Sequence, residues 1–147
     1  MPTLGLLLAT GDSVKQAMAR VSERVGLTPL QARAIIALES DGASTQRSLA
    51  LTCTTTPRNV TALVDALSAR GLVTRAAHPR DRRSVLVTLT PEGHGLATRV
   101  EEEFRAVSRR ALAALEPHSI AALSHALEAI GAQLAASSGE ARPSGGG

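Results

Sequence analysis

Arginine is concentrated in one short stretch of this sequence. Five arginines occur between residues 70 and 83, namely Arg70, Arg75, Arg80, Arg82 and Arg83. Asp81 is the only acid among them, so the stretch has a net charge of +4, whereas the whole chain has +3. Positive charge concentrated in this way is typical of a surface that contacts a polyanion. A solvated arginine-rich loop is the alternative interpretation, but a run this dense repels itself without a partner.

A second set of polar side chains stands at the start of a predicted helix: Thr55, Thr56, Arg58, Asn59 and Thr61. Arginine can donate two hydrogen bonds to guanine, and asparagine can pair with adenine in the same bidentate way. Hydroxyl groups and the free amides at a helix start suit phosphate oxygens. The set therefore predicts contact with duplex DNA, although Thr55 and Thr56 would serve equally well as helix caps.

Other candidates for chemistry are few. His118 and His125 lie seven residues apart, about 10.5 Å along a helix, too far to share one metal ion. We expect no metal site, no cofactor and no enzyme, since no catalytic triad, paired carboxylates or phosphate-binding loop stands out. The single Cys53 is expected to fill the core; a redox switch is the alternative, and it would need an exposed thiol of lowered pKa.

The composition limits the class of protein. The chain has 147 residues, 44% of them apolar, enough for one domain with a core of its own. It has no Trp or Tyr and a single Phe, so a stacking platform for single-stranded nucleic acid is not expected. The early apolar run over residues 4–10 is too short to cross a bilayer, and one cysteine fits a reducing compartment. We therefore expect a cytoplasmic protein without a membrane partner.

The order of predicted elements gives the fold class. Threonine followed by proline at 28–29, 56–57 and 90–91 predicts helix starts, because threonine caps a free amide and proline fits the first helical position. Apolar periodicity predicts helices over 3–25, 29–39, 44–52 with Ser44 as its cap, 57–70, 91–115, and from 117 onward. Alternation predicts two strands, 72–75 and 85–89, around the polar loop 77–84.

The elements follow in the order helix, short helix, turn, helix and hairpin. This order predicts a winged helix-turn-helix, in which the helix after the turn enters the major groove. The predicted fold is mainly α with a small β-hairpin wing, flanked by dimerisation helices. The predicted regions are an N-terminal dimerisation helix (1–26), the DNA-binding region (27–90), C-terminal dimerisation helices (91–136) and a disordered tail (137–147) rich in Gly, Ser and Pro.

Two apolar stripes outside the central region predict a homodimer. They consist of Val14, Met18 and Val21 in the first helix, and Ile120, Leu123, Leu127, Ile130 and Leu134 in the last. The second stripe alternates steps of three and four residues, as in a two-helix seam. The terminal helices hold more apolar surface than one small core needs, which favours an intertwined dimer.

Residues 27–96 resemble the MarR family of bacterial transcriptional regulators. The resemblance rests on LTP at 27–29, TPRNVT at 56–61, LVDAL at 63–67, RGLV at 70–73, DRR at 81–83 and LTPEG at 89–93. It implies a homodimeric, DNA-binding regulator, often a repressor, that releases DNA when it binds a small molecule or is oxidised. The helices on either side are similar to the family's dimerisation region.

The resemblance also implies roles at the wing. The second arginine of the family's Asp-Arg-Arg motif enters the minor groove, which here implies Arg83 inserted and Asp81 bracing it, with Arg82 and Arg80 on phosphates. A narrow minor groove attracts a guanidinium, so the assignment is physically sensible. A wing-stabilising turn or salt bridge is the alternative role for Asp81.

Two positions depart from the family's pattern, and one further site is implied. Family members often have a basic residue where Ala62 stands, and many have glycine where this chain has Thr54. A small-molecule effector would bind between the dimerisation helices and the winged region. Met18, Leu38 and Phe104 are candidate lining residues there, with ordinary core packing as the alternative.

We conclude from the sequence that the chain is a sequence-specific regulator, a ligand-responsive repressor acting as a homodimer on a pseudo-palindromic operator. Two alternatives stay open. A winged-helix module that binds a protein partner predicts binding that is insensitive to salt. A non-specific architectural DNA binder predicts steep salt dependence with little discrimination between sequences.

Overall fold

The structure is a computed structural model that describes residues 2–139. Its helices are α1 (Pro2–Arg24), α2 (Pro29–Asp41), α3 (Gln46–Thr52), α4 (Pro57–Ala69), α5 (Pro91–Leu112) and α6 (Pro117–Gly139). Its strands are β1 (Ser44–Thr45), β2 (Val73–Ala77) and β3 (Val85–Leu89). The chain divides between Val107 and Ser108 into two compact units. The predicted class, mainly helical with a small β wing, is confirmed.

The predicted helix starts at threonine–proline pairs are confirmed. Thr28 forms a capping box with Gln31: its hydroxyl accepts from the Gln31 amide at 3.2 Å, and the Gln31 side chain accepts from the Thr28 amide at 3.0 Å. Thr56 caps α4 by accepting from the Asn59 amide at 3.2 Å. The Thr90 hydroxyl accepts from the Gly93 amide at 3.0 Å at the start of α5. Local capping therefore fixes where three of the helices begin.

Several predicted boundaries shift. The residue that caps α3 is Thr45, and the predicted cap Ser44 lies in β1 instead. Helix α1 begins at Pro2 and ends at Arg24, one residue before each of its predicted boundaries. Helix α6 extends to Gly139, past the predicted end at 136, and the rest of the predicted tail, 140–147, lies outside the described residues.

The sheet has three antiparallel strands in the order β1-β3-β2. Strands β2 and β3 form the predicted hairpin, with Val73 opposite Leu89 at its base and Ala77 opposite Val85 near its tip. The sequence prediction missed β1, which adds only a two-residue edge to β3. The sheet joins the helix-turn-helix to the wing, because β1 runs directly into α3.

The core of the first unit lies between α2, α3, α4, the first half of α5 and the sheet. Ile35, Leu49, Val60, Leu67 and Val87 have almost no exposed surface. Burial of these side chains is the main favourable term holding the helix-turn-helix together. Because one face of α4 packs in this core, the polar residues of the helix face outward.

The apolar stripes predicted for a dimer differ in exposure. Val14 is 51% exposed and Met18 is half-buried, but Val21 is completely buried within the chain. Val21 is therefore corrected from an interface residue to an internal packing residue. In α6, Ile120 is half-buried, and the exposed apolar side chains are Leu123, Leu127, Ile130 and Leu134. No helix within residues 2–139 has the length and apolar character needed to cross a membrane.

Candidate nucleic-acid interface

The turn between α3 and α4 is held by backbone hydrogen bonds. Cys53 caps the end of α3 by donating its amide to Leu49 at 2.8 Å, and Thr55 donates to Ala50 at 2.9 Å. Between them Thr54 adopts a φ of 51°, in the left-handed region. A β-branched residue is strained there, at a cost of about 1–2 kcal/mol. The turn therefore reverses the chain sharply in three residues and delivers it to α4.

The first turn of α4 presents the predicted polar set on its outer surface. The Asn59 side-chain amide donates to the Thr55 hydroxyl at 3.1 Å, and the Thr61 hydroxyl donates to the Pro57 carbonyl at 3.2 Å. Arg58 is exposed, and within residues 2–139 it has no hydrogen-bond or ion-pair partner. Asn59 is thus oriented by its neighbours, whereas Arg58 is available for an outside group.

Two of the five arginines in the basic stretch serve the chain itself. The Arg70 guanidinium donates to the Gly26 carbonyl at 2.8 Å, which joins the end of α4 to the connection before α2. Arg75 on β2 forms an ion pair with Asp65 on α4. These arginines tie the helix-turn-helix to neighbouring elements, so three of the five guanidinium groups are left to contact a partner.

The other three arginines stand at the wing tip, which we define as residues 80–83. Arg80, Arg82 and Arg83 are exposed, and their guanidinium groups have no partner within the described part of the chain. The backbone below them closes through a bond from the His78 amide to the Ser84 carbonyl at 3.1 Å. The wing tip is therefore a closed loop that carries three unpaired cations.

Asp81 organises the wing tip through its carboxylate. One oxygen accepts from the Arg83 backbone amide at 3.0 Å, and the other accepts from the Ser84 hydroxyl at 2.8 Å. The Arg83 amide, followed by the Ser84 hydroxyl, holds the pKa of Asp81 below its usual range. The carboxylate acts on the backbone of Arg83 and leaves its guanidinium free to point elsewhere.

Sequence reasoning missed two residues of this region. Ser84 was not singled out, although an Asp followed three residues later by Ser is a readable turn signal. Arg33 was also missed: its guanidinium donates to the Cys53 carbonyl at 2.9 Å, across 20 residues of sequence. No spacing rule could have predicted that bond, because it depends on how α2 packs against the turn.

Comparison with known proteins shows which family this arrangement resembles. Residues 25–84 match the model described as the MarR family. An uncharacterized HTH-type transcriptional regulator of Bacillus subtilis (strain 168), YhbI, is 30% identical over 90 residues. The aligned part covers 61% of this chain and 58% of that protein, so the match spans little more than half of the relative.

Solved structures agree over most of the chain. A probable transcriptional regulator from Pseudomonas aeruginosa is 29% identical, with a TM-score of 0.67, and the match covers 82% of this chain and 95% of that one. A MarR family protein from Bacillus stearothermophilus has a TM-score of 0.79 at 22% identity, with coverages of 91% and 94%. Residues 25–84 of the chain match the MarR family, and the fold of the chain is that of MarR family structures. The resemblance predicted from its sequence segments is confirmed.

The two departures from the MarR family pattern fall on the outer surface of the helix-turn-helix. Ala62 is exposed on α4, so the cation often found there in MarR family members is absent from that helix face. Thr54 has the left-handed backbone that glycine would adopt without strain. The turn geometry is therefore kept, at the energetic cost given above.

A cavity of about 480 Å³ lies within the first unit. Its lining residues are Val14, Lys15, Met18, Ala19 and Ser22 of α1, Pro29, Arg33 and Ile36 of α2, and Phe104 of α5. Met18 and Phe104 line it as predicted. Leu38 does not, because it is only 2% exposed and packs in the core, so that prediction is corrected.

Cys53 is buried in the core with no exposed surface. Burial raises the pKa of its thiol, an effect that the nearby Arg33 guanidinium partly offsets. A buried, protonated thiol is a poor nucleophile and a poor target for oxidants. The structure therefore favours the packing role over the redox alternative.

Within residues 2–139 no three His, Cys, Asp or Glu side chains are grouped as metal ligands would be.

Proposed function

We propose that this chain is a sequence-specific, DNA-binding transcriptional regulator that acts as a homodimer on a pseudo-palindromic operator. The observation that carries the proposal is the pairing of two outward surfaces on one unit. The start of α4 presents oriented polar groups, and the wing tip presents three unpaired arginines. A helix of this kind suits the major groove, and an arginine-bearing loop beside it suits the neighbouring backbone and minor groove.

The first turn of α4 is assigned to base recognition. Arg58 donates to guanine and Asn59 to adenine, since both side chains face away from the core. Thr55 holds the Asn59 amide at 3.1 Å, so it selects one orientation of that side chain. Thr56 and Thr61 lie on the same exposed surface and are assigned to phosphate oxygens.

The wing tip is assigned to the minor groove and its edges. Arg83 inserts, and Arg80 and Arg82 contact phosphates on either side. Asp81 keeps its negative charge, and its two oxygens accept hydrogen bonds from the Arg83 amide and the Ser84 hydroxyl within the loop. Its contribution is therefore to the shape of the loop.

Dimerisation is assigned to α1 and α6, whose exposed apolar side chains would be costly to leave in water. The residues are Val14 and Met18 on α1, and Ile120, Leu123, Leu127, Ile130 and Leu134 on α6. A twofold dimer places two copies of α4 in successive major grooves, about 34 Å apart.

We further propose that the regulator is a repressor whose DNA binding responds to a small molecule in the cavity bounded by α1, α2 and α5. A volume of about 480 Å³ is within the range of ligand sites. The cavity is lined mainly by apolar side chains, with Lys15 and Arg33 as its charged groups. An apolar ligand body would bury against Met18 and Phe104.

The test is fluorescence anisotropy with the full chain, using DNA from upstream of its own gene against a scrambled duplex at two salt concentrations. We expect selective binding with a Kd on the order of 10⁻⁸ M. Binding that is weak, steep in salt and unselective would support the architectural alternative instead. No binding even at low salt would favour a protein-binding module.

A further inference from the structure

Arg33 contacts two features of the molecule, the cavity and the turn between α3 and α4. It lines the cavity, and its guanidinium donates to the Cys53 carbonyl at 2.9 Å. The cavity is where a ligand would bind, and Cys53 begins the turn that leads into α4. A single side chain on α2 therefore contacts both the cavity and the helix-turn-helix.

The bond to Cys53 ties the turn to another element of the fold. Carbonyls at a helix C-terminus lack partners within the helix, and Cys53 caps the end of α3. Arg33 supplies the partner from α2. The next residue, Thr54, has a left-handed backbone that relaxes if the surroundings stop enforcing it. Loss of the bond would therefore loosen the segment that sets where α4 begins.

The charges around the cavity indicate what kind of ligand would engage Arg33. Its lining contains two cations, Lys15 and Arg33, and no carboxylate. Lys15 lies 3.6 Å from Asp12, whereas Arg33 has no carboxylate partner within residues 2–139. A carboxylate or similar anion on an apolar body matches this lining. A carboxylate can accept two parallel bonds from a guanidinium and adds an opposite charge, whereas the Cys53 carbonyl accepts one bond from Arg33 and carries no charge.

We propose that Arg33 is a switchable tether, which an anionic ligand in the cavity draws away from the Cys53 carbonyl, so that the turn loosens and DNA is released. The tether itself is a property of the free protein. Only the last step, the release of DNA, rests on the proposed function.

The first test measures hydrogen exchange of the full-length protein without DNA. Arg33→Ala should speed exchange of the amides in residues 50–59 about tenfold, while peptides of the wing hairpin, residues 73–89, stay as in the wild type. Arg20→Ala is the matched control, since Arg20 is an exposed arginine of α1 that does not line the cavity. Equal exchange over 50–59 in both variants would overturn the tether.

The second test supplies the anion as a side chain, so it needs no identified ligand. Pro29 is exposed, lines the cavity and lies four residues before Arg33, where a Glu would pair with the guanidinium along the helix. Pro29→Glu should speed exchange over 50–59 several-fold relative to Pro29→Gln, and this difference should vanish in an Arg33→Ala background. Equal rates for the Glu and Gln variants, or a difference that persists without Arg33, would overturn the proposal.

DNA binding separates the tether from the proposed function. Arg33→Ala should weaken binding to the selected operator about tenfold relative to Arg20→Ala. Unchanged affinity would overturn the link to DNA release. If the wild type binds no DNA selectively while the exchange results hold, the proposed function fails and the tether between cavity and turn stands.

Discussion

The start of α4 and the wing tip both carry polar groups outward, but they hold them in different ways. In α4, the Thr56 hydroxyl caps the helix and the Thr55 hydroxyl orients Asn59, so backbone and side chains form one hydrogen-bonded unit. At the wing tip only the backbone is fixed, by Asp81, and the three arginine side chains are unpaired. Apart from the unpaired Arg58, the α4 surface is held by hydrogen bonds up to its side-chain ends, whereas the wing tip is held only in its backbone.

This difference predicts a division of labour on DNA. Reading a base edge requires a donor and an acceptor at fixed positions, which an oriented side chain provides. Contact with phosphates, or insertion into a narrow groove, requires charge and reach, and a long unpaired cation provides both. We therefore expect α4 to set which sequence is bound and the wing to set how tightly any sequence is bound.

The largest expected effect comes from disturbing the packing of Gly93 against the Leu72 backbone, just before the wing hairpin. A Cβ on Gly93, near the start of α5, would lie 2.2 Å from the Leu72 carbonyl oxygen, which is backbone and cannot move aside. Gly93→Ala should therefore lower the free energy of unfolding by about 3 kcal/mol, measured by urea denaturation. Gly95→Ala is the control: its Cβ would meet nothing within 4 Å, so it should gain up to about 1 kcal/mol. Equal stability of the two variants would contradict this packing.

The next effect tests the α4 side of the comparison. Asn59→Ala removes the oriented amide and should reduce discrimination between the operator and a scrambled duplex by about 1–3 kcal/mol, roughly 5- to 150-fold. Competition anisotropy with single-base variants would show at which positions preference is lost. Preserved discrimination in both Asn59→Ala and Arg58→Ala would mean that α4 does not read the bases.

A smaller effect is expected at the wing. Arg83→Ala should weaken binding to operator and scrambled DNA alike, by about tenfold, and lower the slope of log affinity against log salt by about one. Arg20→Ala, on α1, should change neither quantity. If Arg83→Ala lowered affinity only for the operator and left the salt slope unchanged, Arg83 would be a sequence-reading residue. The proposed division of roles between α4 and the wing would then be wrong.

The comparison also shows how far the sequence could predict this protein. Helix starts were predictable, because Thr56 and its proline act within a few residues of chain. The roles of Arg70 and Arg75 were not, since their partners lie 44 and 10 residues away and depend on packing. The local net charge therefore includes two arginines that brace the fold, and only the other three were predicted to contact DNA.

Apolar spacing had a similar limit. Periodicity correctly placed Val21 on the apolar face of its helix, but spacing alone cannot tell whether that face meets the same chain or another one. Val21 is buried internally, and Leu38 belongs to the core instead of the cavity. The strand β1 was missed because two residues are too few to show an alternating pattern.

The smallest expected effect concerns how firmly the wing backbone is fixed. The pKa of Asp81 is lowered in the folded chain, so the carboxylate's bonds to Arg83 and Ser84 contribute fully above the usual aspartate range, near pH 4. They are lost only as pH falls through the lower, folded pKa. These two bonds of Asp81 should therefore be unaffected by pH between about 5 and 8.

Nuclear magnetic resonance of the Arg83 backbone amide would follow this titration directly. In the wild type its chemical shift should change with an apparent pKa below the usual aspartate value. In Asp81→Asn, which keeps an acceptor oxygen but cannot ionise, that change should disappear while the amide stays bonded. A titration at or above the usual aspartate pKa would mean that Asp81 does not hold the backbone of Arg83. The wing would then be ordered only when DNA is bound, a larger contrast with α4 than the structure gives.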